Sequence, residues 1–326
     1  ISLAHGQLLS SGAIDVAVGA PPTSLVDSRI SFAPWWRGSD SVFIAYDVQE
    51  AAAPKLVSEV NLRDTNNWWS FSQPFATAGL VYVSHQSSEY LKDVIPPPYV
   101  TYRWDGTKQI PTTNYPPPGT WVQRHFLDVI DYADPKSPVT RKPVNIPGSL
   151  IGLSHQGALL YTQGNRYYDY SIPETIPAWA EFLDASAYDG VKAHLVDTIA
   201  LPATYPHPIL AFGKNIFLGR VSDQKDAPAS IETWAVSDAG KFTRTGLTAL
   251  SAPANAFRSF GDLLTVQFDS RLELYNAANP TALQLRGGGE APVCFGYNLE
   301  FAAGDLDRGL WLPLGAYGVS KIDVKR

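Results

Sequence analysis

Apolar and polar positions follow one recurring pattern along the chain. The unit is a short apolar strand, a connection of variable length, an alternating strand, and a turn rich in Asp, Pro or Gly. Its clearest copy runs from Gly79–Val83 to Phe126–Tyr132 and ends in the turn Ala133–Pro135. A two-residue period bounded by such turns predicts β-strands, and no amphipathic helical pattern of useful length competes with it.

The unit occurs six times. Two more strand-like stretches, such as 138–144 and 150–153, lie between consecutive units, so each module is predicted to have four strands. The modules recur mostly every 40 to 55 residues or so (about the size of a propeller blade). The predicted second and third strands are 29–32 and 42–48, 79–83 and 126–132, 157–161 and 181–185, 215–218 and 231–236, 263–266 and 272–275, and 309–312 and 319–324.

The pattern therefore predicts an all-β fold, a six-bladed β-propeller forming one domain over 1–326, with seven blades as the alternative count. The sixth module stops after its third strand, whereas Ser2–Leu9 is a spare strand ahead of the first module at Ala13–Val16. We expect this N-terminal strand to pair with Val319–Val324 as the outer strand of the last blade. Such closure would remove two exposed sheet edges.

One module resembles a known repeat. Leu127–Asp131, followed by Asp134-Pro135 and Pro138-Val139, is similar to the repeat of bacterial secreted propellers of the LVIVP type, and looser copies cover most of the chain. The turn 237–240 departs from this repeat because it lacks the proline. The resemblance implies the propeller fold and an extracytoplasmic bacterial setting (secreted, periplasmic or cell-surface). It implies no catalytic motif, since proteins of this kind share a scaffold and no single activity.

Strand order assigns the connections to two faces. Connections from second to third strands, and from fourth strands to the next blade, share one face, which we call the variable face. Long irregular loops on a rigid frame are where binding sites concentrate, so we expect the site here. The segments of this face are 34–40, 63–73, 85–124, 163–179, 202–208, 220–229, 267–271 and 287–292.

The variable face is rich in aromatic residues beside Asn and Arg. Exposed Trp and Tyr suit stacking on sugar rings or anchoring of a protein partner, although these side chains could equally pack beneath their own loops. The predicted binding residues are Trp35, Trp36, Arg37, Asn67, Trp68, Trp69, Tyr167, Tyr168 and His207, and Trp104, Trp121 and Trp179 could join them.

The largest insertion of the variable face is a proline-rich arm at about 86–124. It contains two triple-proline strings and a predicted strand pair, Tyr99–Trp104 and Ile110–Thr113, around Asp105-Gly106. Polyproline strings stiffen a projecting segment. Such an arm could cover the mouth of the ring, hold a neighbouring subunit of a larger assembly, or pack on the rim.

Composition excludes some classes of partner. The formal net charge is −6, with 45% hydrophobic and 17% charged residues, so nucleic acid is not expected. No apolar run is long enough to span a bilayer. The chain begins at Ile1 with no visible signal peptide, and we expect a mature or trimmed product. Cys294, the only cysteine, is expected to be a buried hydrophobe, which together with the absence of Met favours an oxidising compartment.

The sequence contains no catalytic, cofactor or metal motif. His85 and His155 recur in Ser-His-Gln strings but are expected on opposite faces, and Asp305 and Asp307 lie at a tight turn without the spacing of a calcium loop. We therefore expect no metal and no cofactor.

Two functional hypotheses remain. The first is a non-catalytic recognition or scaffold propeller that binds a protein partner or glycan through the variable face. The alternative is a carbohydrate-active hydrolase or lyase at the mouth of the ring, where acids and bases from several loops could converge. Its candidate residues are Arg37, Asp40, Arg63, Asp64, Tyr167, Tyr168, His207 and Asp269.

Overall fold

A computed structural model gives the architecture of the chain. It describes residues 2–4, 7–10, 13–15, 24–32, 39–47, 55–63, 74–95, 98–115, 117–165, 181–201, 207–221, 229–269, 271–290, 303–305, 309–313 and 319–322. Within these residues the protein is built from antiparallel β-sheets, and the helix they contain is a single 3₁₀ turn, His155–Gly157. No described helix has the length and apolar character that a membrane crossing requires.

The described strands form six sheets in chain order and two separate ribbons. The ribbons are β1 (Ser2–Ala4) with β2 (Gln7–Ser10), and β9 (Tyr99–Trp104) with β10 (Gln109–Asn114). Blade 1 contains β3 (Ala13–Asp15), β4 (Ser24–Phe32), β5 (Ser39–Asp47) and β6 (Lys55–Arg63). Blade 2 contains β7 (Phe75–Thr77), β8 (Leu80–Leu91), β11 (Thr120–Asp131), β12 (Val139–Thr140) and β13 (Val144–Ile146). Blade 3 contains β14 (Ser149–Ser154), β15 (Leu159–Asn165), β16 (Glu181–Tyr188) and β17 (Ala193–Ala200).

The remaining three sheets follow the same plan. Blade 4 contains β18 (Ile209–Phe212), β19 (Asn215–Arg220), β20 (Ser230–Val236) and β21 (Phe242–Ala249). Blade 5 contains β22 (Ala256–Phe260), β23 (Leu263–Gln267), β24 (Arg271–Asn276) and β25 (Gln284–Glu290). Blade 6 contains β26 (Ala303–Asp305), β27 (Gly309–Pro313) and β28 (Val319–Ile322).

The sheets are arranged as the blades of a propeller. Each is an antiparallel meander in which neighbouring strands pair in chain order. The first strands of successive blades contact one another, as β3 does with β7, β14 with β18, β18 with β22 and β22 with β26. The first strands therefore lie toward the centre and the fourth strands toward the outer rim, which confirms the predicted fold class.

The core lies between blades rather than within one layer. Four buried clusters join blades 1 and 2, 2 and 3, 3 and 4, and 4 and 5. Alternate residues of one strand enter different clusters: Val81 and Val83 pack toward blade 1, whereas Tyr82 packs toward blade 3. Because both faces of these strands are buried, their sequences are nearly continuous apolar runs.

The predicted second and third strands are present in all six modules, and two local differences appear. In blade 2, β8 and β11 are each 12 residues long and extend beyond the blade. The fourth strand predicted at 138–144 is interrupted at Arg141–Pro143, because Pro143 has no N–H for the ladder. The N–H of Arg141 continues the ladder by donating to the Val129 carbonyl, and the register has shifted by one residue where β13 pairs.

The predicted closure of the ring stays a prediction. Within the described residues, Ser2–Ala4 pairs with Gln7–Ser10, and Val319–Ile322 pairs with Gly309–Pro313. No described ladder joins the two ends of the chain. Cys294, Asp307 and the turn after Asp305 lie outside the described residues.

Gly157 marks a close approach between blades 2 and 3, and this gives a stability prediction. Its φ is +88°, and a Cβ there would lie 2.2 Å from the Tyr82 hydroxyl, whereas Gly190, with φ +95°, has open space around it. We expect Gly190→Ala to cost about 1–2 kcal/mol from backbone strain alone. Gly157→Ala should cost about 1–3 kcal/mol more because of the clash. Urea unfolding of both variants checks this, and equal losses would contradict the packing of Tyr82.

Candidate functional site

Most of the predicted binding residues lie outside the described part of the chain. These are Trp35, Trp36, Arg37, Asn67, Trp68, Trp69, Tyr167 and Tyr168, together with Asp64 and Trp179. The side chains of Asp40 and Arg63, in β5 and β6, are likewise outside the description. The structure therefore leaves these predictions as they stand.

Two of the predicted residues of the variable face outside the arm can be placed. His207 precedes β18 and is buried, at 6% exposure. Asp269 is exposed in the connection between β23 and β24, where its carboxylate accepts a 2.6 Å hydrogen bond from the Asn255 amide. Asp269 and Asn255 flank blade 5 on the same face, since second-to-third and fourth-to-first connections emerge together.

The arm is the best described feature of the variable face. β8 and β11 pair continuously, from Leu80 opposite Asp131 to Leu91 opposite Thr120. This ladder extends well beyond the level where the other blades end. Beyond them, β9 and β10 form the predicted strand pair. Its register runs from Gln109 opposite Trp104 to Asn114 opposite Tyr99. The Asp105 carboxylate accepts hydrogen bonds from the N–H groups of Thr107 and Lys108, both at 2.8 Å, which closes the turn. These bonds lower the pKa of Asp105.

The β9–β10 ribbon is exposed on both faces. Val100, Tyr102 and Trp104 share one face by strand alternation, and Tyr102 and Trp104 are 66% and 64% exposed. Ile110 on the other face is also exposed, as is Tyr115 just after the ribbon. Apolar side chains in such numbers on an unsupported two-stranded ribbon are unusual in a chain that works alone.

The base of the arm has one face without formal charge, which we call the neutral strip. Strand alternation and register define it as the cross-strand pairs Trp121–Tyr90, Gln123–Ser88 and His125–Gln86. The Tyr90 and Trp121 rings lie 5.3 Å apart, and both side chains are more than half exposed. The strip continues toward blade 3, because Leu127 and Val129 on the same face enter the cluster between blades 2 and 3.

His125 forms the inner end of the neutral strip. It is buried, and its Nδ1 lies 3.4 Å from the Ser149 hydroxyl at the start of blade 3. Burial lowers the pKa of His125, with a smaller contribution from nearby His85. The sequence patterns did not single out His125, because its partner Ser149 belongs to another module.

The opposite face of the same hairpin holds charged pairs. Arg124 pairs with Glu89, and His85 Nδ1 lies 2.5 Å from the Asp128 carboxylate. The His85 ring also stacks on Phe126 at 5.3 Å. His85 and Asp128 are largely buried between blades 1 and 2, so the pair is shielded from water.

Asp128 belongs to a position that is acidic in four consecutive blades. Asp128, Asp184, Glu232 and Glu273 lie on third strands, opposite Val83, Thr162, Leu218 and Val266. Each has different partners. Thr198 donates to Asp184 at 2.6 Å, Arg220 and Trp234 donate to Glu232 at 3.0 and 2.9 Å, and Tyr275 donates to Glu273 at 2.7 Å.

The recurrence of an acidic residue at this position indicates a structural role. Arg220 occupies the same position on its second strand as His85 does on β8, and each reaches the acidic residue of its own blade. The signal was visible in the strings Leu127-Asp128, Leu183-Asp184 and Ile231-Glu232, once the repeat was aligned. The His85–Asp128 pair is therefore the blade 2 version of a structural ion pair, built with a titratable base.

The structure separates the two histidines of the Ser-His-Gln strings. His85 contacts Asp128, whereas His155 Nε2 lies 2.9 Å from Asp238 at the turns of blades 3 and 4. Within the described residues no group of three or more His, Cys, Asp or Glu side chains is arranged to hold a metal ion.

Comparisons with known proteins give remote likenesses only. No protein-family model matches the chain, and no curated protein matches it in sequence. Among solved structures, it is similar to a candidate 6-phosphogluconolactonase from Bacteroides fragilis, with 10% identity, 86% of this chain and 83% of that chain covered, and a TM-score of 0.44. It is also similar to Sqt1 of Saccharomyces cerevisiae, with 10% identity, 93% of this chain and 84% of that chain covered, and a TM-score of 0.42. A third similar structure is the periplasmic gluconolactonase PpgL of Pseudomonas aeruginosa, with 13% identity, 83% of this chain and 86% of that chain covered, and a TM-score of 0.37. Likenesses this remote transfer no activity to this chain.

His125 gives a pH prediction. Its folded-state pKa is lowered below the ordinary value of 6.5, so as pH falls the unfolded chain binds a proton before the folded chain does. The stability that neutral His125 provides is therefore present above about pH 6.5 and is lost as pH falls below it. We expect the free energy of unfolding to fall from pH 7 to pH 5 more steeply in the wild type than in His125→Gln.

Urea unfolding at several pH values measures this difference. The carboxylates whose pKa is lowered, such as Asp131 and Asp189, titrate at lower pH and are shared by both proteins. A difference between wild type and variant that stays constant from pH 7 to pH 5 would rule out buried neutral His125.

Proposed function

We propose that this protein is a non-catalytic recognition propeller that binds its partner with the arm at 86–124. The observation that carries the proposal is the β9–β10 ribbon, which exposes Val100, Tyr102 and Trp104 on one face and Ile110 on the other. A two-stranded ribbon gains little stability by itself, and these side chains remain in water in the isolated chain. Exposed aromatic residues on a projecting segment are typical anchors of an interface.

A protein partner fits the ribbon better than a glycan does. Apolar side chains on both faces are covered when a ribbon inserts into a groove of another protein, whereas a sugar chain stacks on one face. A glycan fits the neutral strip instead, where Tyr90 and Trp121 lie beside Gln123 and Ser88. Both surfaces belong to the variable face, so the proposal keeps the predicted face and places its centre on the arm.

The resemblance to LVIVP-type repeats and the extracytoplasmic setting are part of the same proposal. In its support, Leu127–Asp131 forms the end of a third strand, and Asp134-Pro135 lies in the turn that follows it. The single cysteine and the absence of methionine favour an oxidising compartment.

A carbohydrate-active hydrolase or lyase is the second candidate. The observation in its favour is the 2.5 Å His85–Asp128 pair, since a base oriented by a carboxylate is a common catalytic unit. Against it, the pair is largely buried one strand away from the innermost strand of blade 2, and Arg220–Glu232 repeats it in blade 4.

The arm prediction uses a double substitution on one ribbon face. We expect Tyr102→Ala with Trp104→Ala to weaken partner binding at least about tenfold, because interface anchors of this type typically contribute 2 kcal/mol or more each. A photo-crosslinking group placed at Ile110 identifies the partner in the native setting. Titration of the purified partner against the wild type and the double variant then measures the loss, and a glycan array tests the strip with Trp121→Ala.

Two controls show whether the arm acts in recognition. Leu247→Ala removes an equally exposed apolar side chain from an outer strand of blade 4 and should leave binding unchanged. Replacing 96–117 by Asn-Gly is feasible because Gly119 N–H bonds the Val94 carbonyl. This deletion should change the free energy of unfolding by less than about 0.5 kcal/mol. A large destabilisation would mean that the arm supports the propeller itself.

The enzymatic alternative has its own test. We expect no turnover of neutral or acidic polysaccharides, or of a sugar lactone, the chemistry named in two of the similar structures. A measurable activity that falls 10² to 10⁴-fold or so in His85→Ala, with unchanged thermal unfolding, would replace the recognition proposal. Arg220→Ala is the matched control, because it removes the residue at the equivalent position of blade 4, a permanent cation that cannot act as a base.

A further inference from the structure

A second candidate site lies on the outer rim between blades 2 and 3, away from the arm. It is an open groove of about 760 Å³, lined by the interrupted outer strand of blade 2 and the turn before β17. The volume is within the range of small-molecule sites. The lining residues are Arg141, Lys142, Pro143, Val144, Asn145, Gly190, Val191, Lys192, Ala193 and His194.

The charges that line the groove have one sign. Arg141, Lys142 and Lys192 are cations, His194 adds a protonatable ring, and no carboxylate is among the lining residues. In the described part of the chain, neither lysine ammonium has an ion-pair partner. This concentration of positive charge occurs on a chain whose formal net charge is −6.

Two carboxylates beside the groove are already engaged in hydrogen bonds. Asp131 accepts a 2.8 Å hydrogen bond from Arg141 and another from the Ala133 N–H, and both interactions lower its pKa. Asp189 accepts hydrogen bonds from the N–H groups of Val191 and Lys192 within its own turn. Neither of these carboxylates forms an ion pair with the ammonium group of Lys142 or Lys192.

The outer strand of blade 2 is divided where this site lies. The fourth strands β6, β17, β21 and β25 each pass through a one-residue register shift without a break, whereas the strand of blade 2 is divided into β12 and β13. The N–H of Arg141 still bonds the Val129 carbonyl of β11, and Lys142 and Pro143 lie between the two paired segments, at the groove. The hydrogen bond to Asp131 fixes Arg141 and is the main cause of the raised pKa of Arg141, to which Tyr188 of blade 3 adds.

The other large groove makes a useful contrast. It has about 530 Å³ and lies over β24 and β25 of blade 5. Its lining contains Arg271 and Arg286 but also Glu273 and Glu290, so its charges balance. Selectivity for an anion is expected only of the groove between blades 2 and 3.

We propose that this groove binds a multiply charged oxyanion of small-molecule size, bearing carboxylate, phosphate or sulfate groups. Lys142 and Lys192 supply the attraction from the two blades, Arg141 forms a fixed floor, and Asn145 offers an amide donor. The proposal is independent of the arm, because none of these residues belongs to it.

The test is isothermal titration of the full chain with citrate, inorganic phosphate and sulfate in turn, at matched ionic strength in a chloride buffer. These three probes separate the carboxylate, phosphate and sulfate sources. We expect saturable binding of at least one, weakened as salt rises. Lys142→Glu with Lys192→Glu should weaken it at least about tenfold, since each exposed ion pair contributes up to a few-fold and reversal adds repulsion.

Lys136→Glu is the matched control, because it reverses an exposed lysine of the same blade outside the groove. It should change the affinity less than about twofold. If the double reversal fails to fold, the single variants Lys142→Gln and Lys192→Gln should each weaken binding about threefold. Absence of binding to all three probes at 10 mM or so, or equal weakening by Lys136→Glu, would overturn the proposal.

Discussion

The described structure depends on burying both faces of the sheets of blades 2, 3 and 4 between neighbouring sheets. A four-stranded meander with apolar residues on both faces cannot be stable alone, because one layer always leaves a face in water. Here the side chains of one strand divide between two clusters, as Leu159 and Tyr161 pack toward blade 4 and Leu160 toward blade 2. The hydrophobic effect therefore holds blade to blade, and hydrogen bonds hold strands within each blade.

The same constraint governs the buried polar groups. An acidic residue at one position of the third strand would be costly between apolar sheets unless it were hydrogen-bonded. Four successive blades satisfy it with His85, Thr198, Arg220 or Tyr275. The acidic residue at this position is therefore common to these blades, whereas the donor that hydrogen-bonds to it differs from one blade to the next. This is why a short His–Asp pair by itself is a weak sign of catalysis here.

Departures from the repeat are the features that suggest function. Within the described residues, blade 2 carries two of them: its second and third strands run on into the arm, and its fourth strand is divided around Arg141–Pro143. The first departure exposes Tyr102 and Trp104, and the second gathers Lys142 and Lys192 at one groove. The described turns of the other blades are short, so these two irregular features of blade 2 are informative.

The sequence by itself determined the fold class, the modules and the ribbon Tyr99–Trp104, because strand periodicity and turn chemistry are local signals. It also located the arm, although not its exposure on both faces. Only the tertiary structure decided which side chains meet across modules, such as His125 with Ser149, or Gly157 with Tyr82. The tertiary structure also decided that two separate segments, Arg141–Asn145 and Gly190–His194, line one groove. These contacts depend on how one blade is rotated against the next, and periodicity along a strand contains no information about that rotation.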